Sequence, residues 1–181
     1  MEQITNFKLK EFYKQPIELI EDYVNILKNL EPQQTKNQVI HLKLKDVEFI
    51  KQNLTSENDG DLISIISMVQ GIKNSEVLHL DVIQVFSLIN SIKEQIQKIN
   101  RAELSSLSVD NTNIKWESVN GSERIAKFGI YNTIDNLAKG DILKWNAIFE
   151  LPYSDVFMKL LMDKTNNDLQ KEMEQIKSIN N

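Results

Sequence analysis

Six β-branched residues, Val82, Val85, Ile89, Ile92, Ile96 and Ile99, recur at a strict 3-4-3-4-3 spacing. An α-helix returns that spacing to one face, whereas a strand would scatter the six over both of its faces. Asp81 stands where an N-cap belongs and Gln84 at the reciprocal position of a capping box, so the helix is also signalled at its start. The seam covers fewer than three full heptads, which favours packing inside one chain over an intermolecular coiled coil.

Other segments carry the same period. Pro16 suits a first helical turn, and Ile17, Ile20, Tyr23, Val24, Leu27 and Leu30 follow at helical spacing until Glu31-Pro32 stops them. Gln33 to Gln38 reads as a loop. Val39 to Lys45 alternates, with Ile40, Leu42 and Leu44 on one side and His41, Lys43 and Lys45 on the other, and predicts a half-buried strand. An echo between Phe7–Glu11 and Leu42–Asp46 raises the expectation of a short N-terminal strand pair. Asp46 is placed to cap a helix carrying Val47, Ile50 and Leu54. A further helix begins at Asp61, with Leu62, Ile65, Ile66 and Val69 inward and Gly71 placed to end it.

Leu104 to Asn113, rich in serine, asparagine and aspartate, makes the best internal boundary. It divides a helical N-terminal domain, residues 1–108, from a second part, residues 109–181, built of a β-hairpin and C-terminal helices. The hairpin is predicted from Asn120-Gly121, the pair that accepts positive φ in a type I′ turn, flanked by Ile114–Val119 and Ser122–Phe128. Its register sets Trp116 opposite Ile125 and Glu117 opposite Arg124. Asp141 then caps a helix with Ile142, Trp145, Ile148 and Phe149, and Leu151-Pro152 precedes a last helix with Tyr153, Val156, Phe157, Leu160 and Leu161. The expected fold is therefore mainly α within the α+β class, a helical domain with one β-hairpin.

Several kinds of chemistry lack their residues. With no cysteine there is no disulfide, thiolate zinc site or cysteine nucleophile. His41 and His79 are the two histidines, and neither has ligand-spaced acids around it. Glu57 to Asp61 superficially resembles a calcium loop, but Gly60 at the sixth position puts Ile66 where a bidentate glutamate is required. The glycines stand singly, which leaves no phosphate loop. Net charge is −5, and lysines alternate with acids instead of forming a basic face, so nucleic-acid binding is not expected. Met1 to Lys10 carries charges where a signal peptide needs an apolar stretch. Leu62 to Val69, the longest apolar run, is far short of the ~20 residues of a membrane span. The expectation is a non-enzymatic protein with no cofactor and no membrane partner, working in a cytoplasm.

The aromatic set Trp145, Phe149, Tyr153 and Phe157, continued by Leu161, is left as either core or a protein-binding surface. The abundance of Lys, Asn and Ile points to an AT-rich genome, viral or bacterial. Within this frame, Asp61–Ile72 followed by Glu76–Phe86 resembles the helical half of small assembly chaperones of tailed bacteriophages. The stretch Trp145…Leu151-Pro152-Tyr153…Leu160 is similar to the endings of phage tail-assembly proteins, and the composition would suit a crAss-like or related phage. The resemblance implies a cofactor-free chaperone in the host cytoplasm that shields phage structural subunits, with Trp145, Phe149, Tyr153, Phe157 and Leu161 as partner-binding residues. Two alternatives stay open: a structural component of the virion (tail, connector or packaged accessory chain, self-association included), and a small host-directed regulator or inhibitor.

Overall fold

The computed structural model describes residues 7–56, 58–108 and 114–179. Regular structure among them is helical, and β pairing is confined to two isolated bridges, Lys8 with Asp81 and Lys43 with Pro152. Two compact units can be told apart, one of residues 1–42 with 46–98 and the other of 43–45 with 99–181.

The first unit holds α1 (Leu9–Phe12), α2 (Ile17–Leu27), α3 (Leu44–Asn53, from Asp46 onward), α4 (Asp59–Gln70), α5 (Asn74–Val77) and most of α6 (Val82–Leu107). Local chemistry sets the limits of α2 and α4. Pro16, at φ −54°, opens α2. Asn58 caps α4 by accepting from the Gly60 amide, and Gly71 ends it in the left-handed region at φ +61°. Along α6, Val82, Val85, Ile89, Ile92, Ile96 and Ile99 are all buried, so the predicted seam lies inside the chain. Phe12, Leu27, Val39, Val47, Ile50, Leu54, Ile65, Ile66, Val69 and Val77 are buried as well.

The loop between α2 and α3 is tied to α6 by side chains that satisfy its backbone. Asn90 donates to the carbonyls of Lys28 and Leu30 at 3.2 and 2.7 Å. Gln95 accepts from the Val39 amide at 2.8 Å and donates to the Thr35 hydroxyl at 3.0 Å. The Gln33 amide reaches the Ser87 carbonyl at 3.1 Å.

No strand forms over Val39–Lys45. Val39–His41 is a turn of 3-10 helix, and α3 begins already at Leu44. The expected pairing of Phe7–Glu11 with Leu42–Asp46 is also absent. Phe7 and Leu9 bond instead to Val82 and Leu80, through Val82 N to Phe7 O and Leu9 N to Leu80 O, both at 2.9 Å. The Leu44 amide donates to the Leu151 carbonyl at 2.8 Å. Each echo segment therefore finds its own partner, and each makes a single bridge.

The second unit contains Lys43–Lys45, the end of α6 from Ile99, α7 (Ile114–Glu117), α8 (Gly121–Ala126), α9 (Ile130–Ala138), α10 (Trp145–Phe149) and α11 (Tyr153–Ile179). Its buried apolar side chains are Leu44, Ile99, Ile134, Ala138, Ile148, Tyr153 and Val156. The predicted hairpin over Ile114–Phe128 is overturned, because α7 and α8 occupy that stretch. A two-stranded hairpin without a covering layer is marginal in water. Glu123, Arg124, Ala126 and Lys127 are good helix formers, and Trp116–Val119 and Ile125–Phe128 are i,i+3 pairs. Asn120-Gly121 still breaks the chain, but differently. A type I′ turn needs positive φ at both central residues, and here Asn120 alone has it, at φ +53°. Gly121 is required for another reason. The Trp116 indole lies so close over it that any Cβ would overlap the ring.

Candidate functional site

Lys139 and Gly140, at φ +56° and +77°, turn the chain sharply after α9. Asp141 then accepts from the Leu143 amide at 3.1 Å and starts the 3-10 turn Ile142–Lys144 that leads into α10. α10 thereby returns onto α9, and Tyr131 meets two of the predicted site residues. Its ring lies 5.5 Å from that of Trp145, tilted by 48°, and 5.5 Å from that of Phe149, edge to face. The Trp145 indole N–H donates to Asp135 at 3.2 Å. Trp145 and Phe149 are half-buried in this arrangement, while Tyr131 is 49 % exposed.

The step into α11 is held by charge and backbone. Glu150 accepts from Lys43 at 2.7 Å and also from Lys45, and these ammonium groups hold its carboxyl below the usual carboxylate range. Tyr153 is buried, its hydroxyl donating to Glu103 at 2.7 Å, and its ring stacks on that of Phe157 at 6.1 Å. Phe157 and Leu161 are half-buried. The predicted site therefore divides into a Tyr131–Trp145–Phe149 cluster and a Tyr153–Phe157 pair, with Tyr153 anchored inward.

A second row on α11 has no such anchorage. Met158, Met162, Leu169, Met173 and Ile176 are each more than half exposed. At 100° per residue they fall within about 60° of arc, along about 27 Å of helix. They form one apolar stripe, rich in methionine, with Lys159–Asp163 and Lys164–Asp168 ion pairs on other faces. Their 4-7-4-3 spacing is visible in the sequence, where Met173, Ile176 and Ile179 read as a thinner continuation of the last helix; that the stripe faces solvent is not. Leu143, in the 3-10 turn before α10, is 88 % exposed.

Histidines build no site. His79 meets the Lys10 ammonium through Nδ1 at 3.2 Å, and no group of three His, Asp or Glu side chains among the described residues could hold a metal ion. No helix among them is long and apolar enough to cross a membrane. The chain matches no family model, no curated protein and no solved structure.

Proposed function

We propose that this chain acts by binding another protein through the second unit, as a non-enzymatic assembly chaperone for a phage structural subunit. The observation that carries the binding reading is the exposed stripe Met158–Met162–Leu169–Met173–Ile176 on α11. Methionine is unbranched and polarizable, and it adapts to differently shaped apolar partners, which suits transient shielding. A helix face with anchors at this spacing is how helix-in-groove recognition gains its energy. Trp145, Phe149, Phe157 and Leu161, half-buried in the same unit, are the further partner-binding residues of this reading, with Tyr153 anchored inward. The phage context rests on the resemblance of residues 61–86 and 145–160 to tail-assembly proteins.

The test is co-expression with phage structural subunits, scored by how much subunit remains soluble. The native chain should raise the soluble yield of one of them. A variant with Met158, Met162, Leu169 and Met173 all replaced by glutamine should not, although its melting temperature stays the same. Equal rescue by that variant would remove the stripe from the function. Mass spectrometry of purified particles then separates the roles. An assembly chaperone is absent from the particle, whereas a virion component is present at fixed copy number.

A further inference from the structure

The first unit holds a partly open cavity of about 330 Å³ among α1, α2, α4 and α6. Phe12, Leu62, Ile66 and Phe86 contribute to an apolar lining that offers water few partners. Two of the helices present it with the same pattern. α2 contributes Ile20, Val24 and Lys28, and α6 contributes Val85, Ile89 and Lys93. At i, i+4 and i+8 these residues share one face, so each wall runs over two apolar side chains and ends in an ammonium group.

The two lysines lie towards the same end. Asn90, three residues before Lys93, holds the Lys28 carbonyl at 3.2 Å. The Lys28 ammonium donates to the neutral Asn25 side chain at 2.9 Å, and Lys93 has no ion pair among the described residues. Asp59, the acid of the lining, is taken up by Tyr13: the half-buried phenol donates to its carboxylate, and partial burial with that charge holds the phenol above its ordinary range. The lining of this apolar chamber thus carries two ammonium groups and one carboxylate, and the carboxylate is already engaged by Tyr13. Its size falls in the ~300–1,000 Å³ range of small-molecule sites.

We infer that this cavity binds a medium-chain linear alkyl carboxylate, with the alkyl chain among α2, α4 and α6 and the head group between Lys28 and Lys93. Each methylene removed from water contributes roughly a fourfold gain in affinity, and the lysines select the anion.

Calorimetric titration of the full chain with sodium decanoate, below its micelle concentration, tests this. Saturable binding of one decanoate per chain is expected, with octanoate roughly fifteenfold weaker for two fewer methylenes. The variant Lys28→Gln with Lys93→Gln alters exposed side chains, so its melt should be unchanged. It should bind decanoate about tenfold more weakly while binding decanol as the native chain does. Ile63→Trp, which fills the chamber from α4, should abolish binding of both; should it not fold, Ile63→Phe serves in its place. Absence of saturable decanoate binding would overturn the site. Equal affinity for decanoate and decyltrimethylammonium, or full decanoate affinity in the double lysine variant, would overturn the head-group assignment.

Discussion

The first unit buries its apolar side chains and the second displays them. Among the described residues, Ile17 and Ile26 are the exposed large hydrophobics of the first unit, whereas the second exposes Leu104, Ile114, Trp116, Phe128, Leu143, Met158 and others. Both are built from helices of similar chemistry, so secondary structure does not account for the contrast. Neighbours do. α6 has α1, α2 and the tied-down loop to cover its seam, while the outer stripe of α11 has no covering element among the described residues. An exposed apolar stripe of this length on a folded unit is more telling than scattered single residues, and it is the ground on which partner binding is proposed for the second unit.

The contrast can be broken most forcefully at Ile92, which is fully buried. Ile92→Ala should cost about 2–5 kcal/mol in a denaturant titration and leave the oligomeric state unchanged in sedimentation. Dissociation of an oligomer without loss of the fold would instead mean that the seam serves association. In the second unit the sharpest point is Gly121. Gly121→Ala forces a Cβ into the Trp116 ring, and a cost of about 1–3 kcal/mol is expected, with a change in tryptophan fluorescence. Asn120→Gly should be tolerated, since glycine accepts positive φ.

Gly71→Ala probes the end of α4, where φ is +61°. A loss of about 1–2 kcal/mol is expected from thermal melts, the penalty of a side chain in the left-handed region. By contrast, Met158→Gln and Leu169→Gln should each move stability by no more than about 0.5 kcal/mol, because these side chains are already in water. A large loss at either would show that the stripe is covered in solution.

Acid gives the smallest effect. The Glu150 carboxyl is depressed by Lys43 and Lys45, so its contribution is present above the unfolded-state value, ~4.3, and is lost as pH falls through the lower folded value. Replacing both lysines by glutamine should move its titration midpoint, followed by NMR, back up towards the ordinary range. An unmoved midpoint would break the assignment of the shift to these two partners.

Where the chain stated its structure locally, the sequence was sufficient. Pro16, Gly71 and the 3-4 spacing from Val82 to Ile99 signal the start of α2, the end of α4 and the buried face of α6, because caps and periodicity act within a few residues. The start expected at Asp61 falls two residues late, since Asn58 caps α4 instead. The segments expected as strands were decided by where their backbone found partners. Val39–Lys45 alternates over too few residues to require a strand, the Asn120-Gly121 pair does not by itself require a hairpin over Ile114–Phe128, and a strand needs a neighbour to satisfy its backbone. Phe7 and Leu9 found theirs in Val82 and Leu80, and Leu44 found Leu151, while Ile114–Phe128 satisfied itself as two helical turns. The candidate site divided in the same way. The spacing of Trp145, Phe149, Tyr153 and Phe157 placed them on helices, but only the packing showed that Tyr131 meets Trp145 and Phe149, that Tyr153 turns inward onto Glu103, and that the methionine stripe of α11 faces water. Burial depends on which elements meet, and that information lies in no single segment.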